Sequence, residues 1–177
     1  VGFVGGMESP VIQKFHTGHE QGAKYVNPNI KIVSVYVGGA NAFNDPASAK
    51  TKTETLIQQG ADVVYHAAGA SGSGMFQAAK EKNVYAIGVD SNQDSIVPGL
   101  ILTSMMKYVD IAVFNTVKSA LEGKFEAKVQ EFGIKENGVG TTDFEFTKDK
   151  IGEENIKKLE QIKQEIKDGK VTVKPTL

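Results

Sequence analysis

The stretch "VYAIGVDSNQ", residues 84–93, is a run of apolar and small residues that ends on a carboxylate, Asp90, followed by polar side chains. The run is continuous rather than alternating, as in a strand buried on both faces, and such strands belong to parallel sheets covered by helices. Three runs of the same kind precede it: "VGFVGG" (1–6), "IKIVSVYVGG" (30–39) and "ADVVYHAAG" (61–69). Helical stretches open between them near Pro10, Asp45 and Gly74. The alternation predicts a doubly wound α/β lobe. Each strand ends in small or polar residues: Gly5 to Ser9, Gly38 to Asp45, Ala68 to Gly74, and Asp90 to Asp94. In such sheets the ligand crevice lies outside the carboxyl ends of the strands, so these clusters are expected to share one rim that carries Asp90.

Composition narrows the ligand. The 177 residues, 40% of them hydrophobic, are enough for one ordinary core and short for two full domains. A formal net charge of −1 and dispersed lysines leave no basic stripe, so nucleic acid is not an expected partner. There is no apolar run of membrane-spanning length and no charged leader before an apolar segment. The absence of Cys removes thiol catalysis and disulfides. All twenty basic residues are Lys, so no Arg can grip a carboxylate or phosphate in bidentate fashion, and a ligand without strong negative charge is expected.

Beyond Asp94 the rhythm changes. Residues 99–125 run from a short apolar strand into a helix with Val109, Ala112, Val113, Val117 and Leu121 at helical spacing. Residues 129–147 read as two strands about a Gly-rich turn. Residues 152–169 read as an amphipathic helix, with Ile156, Leu159, Ile162 and Ile166 inward, stopped at Gly169.

The blocks "GGMESPVIQKFHTGHEQGAKYVNP", "YVGGANAFNDPASAK", "AAGASGSGMFQAAKEKNVYAIGVDSNQ" and "LTSMMKYVDIAVF" occur in the order found in the basic membrane protein family of substrate-binding lipoproteins. The chain resembles the second lobe of that family from Val1 to about Val171; the first lobe, with its own ligand segment, has no counterpart in these residues. The resemblance implies an α/β fold of the periplasmic-binding-protein type I class, with one doubly wound parallel lobe and part of a second. Residues 1–102 are then expected as the ligand-binding lobe, 103–150 as a crossover helix and strands of the other lobe, and 151–177 as the terminal helix and tail. It further implies a nucleoside, a purine nucleoside in the family's best understood member, bound between two lobes and passed to the permease of an ABC importer. Location follows as lipid-anchored at the cell membrane or periplasmic. No cofactor or metal is implied.

On this resemblance Asp90 and Lys107 fall where the family holds the ribose hydroxyls, and a carboxylate with two acceptor oxygens suits a vicinal diol. From the residues alone Asp90 could equally cap the turn through Asn92 or Gln93, and Lys107 could be a solvated residue at a helix start. "GASGSG" (69–74) lacks the spacing of a phosphate loop. In the family it lines the cleft with backbone groups, which places Gly69 and Gly72 there, whereas a tight strand-to-helix turn would also explain them. Phe43, an aromatic in a polar loop, is expected either to stack on a purine or to fold back as a hydrophobic staple over the helix begun by Asp45 and Pro46.

The three histidines make no site by spacing: His16 and His19 lack a third ligand, and His66 lies inside an apolar run. No nucleophile, base and acid set emerges, so an enzyme is not expected. A nucleotide-using Rossmann-like enzyme and a ligand-sensing domain of a regulatory protein are the alternatives to a transport receptor. If residues 108–147 pack on another lobe, their apolar positions, among them Phe132, Ile134, Phe144 and Phe146, lack a partner here. The isolated chain is then expected to form a homodimer through them or to leave them mobile.

Overall fold

In the computed structural model, which describes residues 1–175, each strand predicted within residues 1–102 is present and shorter than its apolar run. The elements are β1 (Gly2–Gly5), α1 (Pro10–Val26), β2 (Val33–Tyr36), α2 (Pro46–Gln58), β3 (Val63–Ala67), α3 (Gly72–Lys82), β4 (Tyr85–Asp90) and β5 (Ile101–Lys107). There follow α4 (Val109–Leu121), β6 (Val139–Thr141), the single turn α5 (Lys148–Ile151) and α6 (Glu153–Lys167). The six strands form one sheet in the order β2-β1-β3-β4-β5-β6, parallel except for β6, which runs against β5.

Helix starts follow local chemistry. Ser9 and Asp45 each sit just before a proline at the first helical position, and their side chains accept the N–H of Ile12 and Ser48. Helix α3 stops where Asn83 turns left-handed, at φ 52°. Two apolar layers result. On one face Val4, Val64, Ala86 and Ile101 of the sheet meet Ala49 and Leu56 of α2 and Met75, Phe76 and Ala79 of α3. On the other, Phe3, Tyr65, Ala67 and Val89 meet Ile12 and Phe15 of α1. Helix α6 reaches this second side through Tyr25, whose hydroxyl donates to Glu165 (3.2 Å), and the β6 edge through Lys163, which donates to Thr141 (3.0 Å).

Three features differ from the sequence reading. The boundary expected at residue 102 falls inside β5, which continues in the same sheet to Lys107. Segment 129–147 is not a two-stranded ribbon: only Val139–Thr141 is strand, and it joins the edge of the lobe's own sheet. Without a second strand to pair with, 133–138 satisfies its backbone in a turn, Gly138 N–H to Gly133 O at 2.8 Å and Gly133 N–H to Glu136 Oε2 at 3.0 Å. Phe144, expected to lack a partner, is buried, and the stretch around it is tied to β5 by Thr147 Oγ1 donating to Leu102 O (2.6 Å). Helix α4 stands apart: none of its residues is buried, and Phe114 and Leu121 are 66% and 84% exposed.

Candidate functional site

At the carboxyl end of β4 the chain makes a three-residue turn, Ser91 N–H donating to Val89 O at 2.8 Å, with Asp90 at its apex and φ +68°. A non-glycine residue at positive φ in so tight a turn is uncommon and costs about 1–3 kcal/mol. Its carboxylate lies 3.3 Å from Lys107 Nζ at the end of β5, the neighbouring strand. Both side chains are about half exposed, 55% and 44%. An exposed pair of this kind returns roughly 0–1 kcal/mol, so stability does not account for the strained backbone.

Beneath the pair, Lys107 Nζ lies 5.6 Å from the centroid of the Phe15 ring, within cation–π range. The helix-cap alternative for Asp90 is not what the turn builds. Asn92 Oδ1 accepts the N–H of Asp94 (3.0 Å) and Gln93 Oε1 accepts that of Val89 (2.7 Å), which leaves the Asp90 carboxylate facing Lys107.

Phe43 gathers a second group on the same rim. Its ring closes on Gly6, just past β1, where a Cβ would collide with Phe43 Cδ1 and Cε1. Gly69, at φ +56° just past β3, fits against the backbone and Cβ of Phe43; a Cβ there would sit 3.1 Å from Phe43 O. Ser71 fastens the loop from below, its hydroxyl donating to Ala42 O (2.9 Å) and accepting from Asp45 N–H (2.7 Å). Phe43 remains 39% exposed. Gly72 lies elsewhere. It is buried at the start of α3 over the His66 ring, and that contact accounts for glycine at the position.

The histidines are structural. His16 stacks on Phe3 at 4.6 Å and its Nδ1 pairs with the Tyr36 hydroxyl at 3.0 Å. His19 packs on Tyr65 at 5.4 Å; burial, His16 and the terminal ammonium lower its pKa to about 4. Burial also lowers His66 to about 4, against smaller opposing effects of Gln93 and Asp90. Burial, with the Asp90 charge, pushes the Tyr65 hydroxyl up. Among the described residues no group of acidic and histidine side chains is arranged to hold a metal. An apolar groove of about 440 Å³, which the sequence did not announce, opens beside Lys107 between α1 and the β4–β5 face, lined by Phe15, Tyr65, Ile87 and Met105.

A largely parallel sheet whose strand ends carry a carboxylate, an ammonium and an aromatic ring on one rim has the form of an α/β ligand-binding lobe. The chain belongs to the Bmp family, the PnrA-like substrate-binding proteins of ABC transporters, whose model matches residues 1–176. It is 38% identical over 177 residues to basic membrane protein D of Borreliella burgdorferi, covering 98% of this chain and 51% of that protein. It is 35% identical over 158 residues to an uncharacterised lipoprotein of Pyrococcus horikoshii, covering 84% of this chain and 38% of that one. Among solved structures it superimposes on a solute-binding protein of an ABC transporter system from Aeropyrum pernix with TM-score 0.80 and 30% identity, over 97% of this chain and 56% of the other. The chain thus spans between 38% and 56% of the length of these relatives. The family and the Aeropyrum pernix neighbour are solute-binding proteins rather than enzymes.

Proposed function

We propose that this chain is one lobe of a two-lobed extracytoplasmic receptor, held at the membrane, that binds a nucleoside and delivers it to the permease of an ABC importer. The observation that carries the reading is the Asp90 turn: a strained, half-exposed carboxylate beside Lys107 at the mouth of a parallel sheet. Such a pair matches a vicinal diol, whose two hydroxyls can donate to the carboxylate while one accepts from the ammonium. Phe43 offers a purine an aromatic surface on the same rim, worth about 1–3 kcal/mol per stacked base. The other lobe supplies the opposite wall and covers the apolar face of α4, and closure about the crossings near Tyr108 and Gly138 encloses the ligand.

Calorimetry on the two-lobed receptor tests this. A purine ribonucleoside should bind at least tenfold more tightly than its 2′,3′-dideoxy analogue, because the analogue leaves site polar groups unpaired at about 1–3 kcal/mol each. Nucleoside monophosphates should bind more weakly still, with Asp90 repelling the phosphate and no Arg in the chain to hold it. Equal affinities for ribo and dideoxy forms would remove Asp90 and Lys107 from the site. The lobe alone, with one wall of the cleft, should show no measurable affinity.

A further inference from the structure

The polar residues after Asp90 are not loop filler. Backbone N–H groups along a parallel strand alternate between its two neighbours. Tyr85 N–H donates to Asp62 O on the β3 side (3.0 Å), and so the N–H of Val89, four residues on, faces β3 as well. Yet the β3–β4 pairing ends at Tyr65 and Ile87. The two strands splay, and no β3 carbonyl meets Val89. The Gln93 side chain enters this gap: its Oε1 accepts Val89 N–H at 2.7 Å and lies 3.1 Å from His66 Nε2 on β3.

The donor on Val89 fixes the atom it meets as the amide oxygen, so His66 must carry its proton on Nε2 and donate to the same oxygen. His66 Nδ1 is left buried without a partner beneath Gly72. Gln93 is anchored in turn. Its N–H donates to Ser104 Oγ (3.0 Å), and that hydroxyl donates to the buried carboxylate of Asp94 (2.6 Å). Ser104 N–H donates to Thr142 Oγ1 (3.1 Å), and Gly88 leaves the room that Gln93 and Ser104 occupy. The chain of bonds joins β3, β4, β5 and the residue after β6, and it ends one residue from the Asp90 turn.

We infer that Gln93 is the positioning residue of the proposed diol site: by replacing the missing ladder bond at Val89 it holds the β4 end open from β3 and sets Asp90 opposite Lys107. It does not touch the ligand. The inference rests on the proposed role of Asp90 in binding, and its experiment has one arm that needs no ligand.

In the 177-residue chain, the ¹³C shift of the Asp90 carboxyl carbon reports its neighbour and should move when Lys107 is replaced by Met. In Gln93→Met, of similar shape but without the acceptor, that response to Lys107→Met should be lost and Val89 amide exchange should quicken by at least tenfold. Gln93→Glu keeps an oxygen for both donors and should restore the response. If Gln93→Met does not fold, Ser104→Ala frees Gln93 from one anchor and should weaken the response without abolishing the fold. A full response in Gln93→Met, or in Ser104→Ala where that variant stands in, would overturn the inference. In the two-lobed receptor, Gln93→Met should cut the preference for ribonucleoside over dideoxynucleoside at least tenfold. Equal weakening of both ligands would reduce Gln93 to a fold-stabilising residue and overturn the inference. A wild-type receptor that shows no preference, with the carboxyl response intact, would sink the diol reading and leave the Gln93 geometry standing.

Discussion

Helix α2 and helix α4 are each thirteen residues long, and α4 carries the more apolar sequence, yet their fates are opposite. Helix α2 has Lys and Thr on much of its surface and buries Ala49, Thr53 and Leu56 against the sheet and α3. Helix α4 holds five valine, phenylalanine or leucine side chains more than half exposed and buries none. Apolar content therefore does not decide burial in this chain; the presence of a facing surface does. The sheet lobe is complete for α2 and covers α4 only in part, at Ile111, Ala112 and Thr116, which is the pattern of a helix whose apolar face awaits a partner.

The sharpest way to break that contrast is a pair of truncations. Leu56→Ala, at a fully buried site, should cost about 2–5 kcal/mol in denaturant unfolding. At concentrations where the chain is monomeric, Leu121→Ala should change stability by less than about 0.5 kcal/mol. Comparable losses there would mean that α4 is packed against its own lobe.

Histidine titration should act on the sheet lobe, where all three histidines lie. His19 and His66 are held near pKa 4 when folded and return to about 6.5 when unfolded. The unfolded chain then binds more protons between these values. The stability is complete above pH 6.5 and falls as pH drops toward 4, by about 1.4 kcal/mol per unit per histidine. Denaturant midpoints at pH 7 and 4.5 measure it, and a flat profile would contradict the buried neutral imidazoles.

Self-association comes next. The exposed α4 face should draw the isolated chain into a concentration-dependent dimer, seen by sedimentation. Phe114→Lys with Leu121→Lys should return it to monomer with unchanged unfolding; a dimer that survives would place the contact elsewhere. The smallest effect is at a helix start, where Ser9→Ala removes the acceptor of Ile12 N–H and should cost about 0.5–1 kcal/mol, with α4 unaffected.

The sequence announced the rim well, because continuous apolar runs ending in Gly or Asp mark buried parallel strands and their carboxyl ends together. It placed Asp90 at a strand end but read Lys107 from the residues only as a helix-start lysine; that Lys107 closes the adjacent strand and meets Asp90 depends on the β4–β5 register. Gln93 was visible as a letter in "DSNQ" and illegible as a device: its partner His66 is 27 residues away, and the donor it satisfies exists only because β3 and β4 splay. Strand β6 was hidden by its three-residue length and by the neighbouring apolar residues, which read as longer strands than their turn allows. Gly72 looked like a cleft residue because the sequence lists neighbours along the chain, and the His66 ring that requires it arrives from another strand.

The antiparallel clasp at the sheet edge, with Lys107 opposite Val139 and Tyr108 N–H donating to Gly138 O at 2.9 Å, makes the chain leave the lobe and return at the same spot. Topologically, residues 109–137 are an insertion into a hairpin. Closing a flexible loop costs only logarithmically more as it lengthens, so the lobe is nearly indifferent to what that insertion contains. The segment could be exchanged for a two-residue Asn-Gly turn, or for an unrelated domain whose ends lie close together, and the sheet would keep its register. The lobe is in this sense a socket, and evolution or an engineer can change what is plugged into it without rebuilding the wall that holds Asp90.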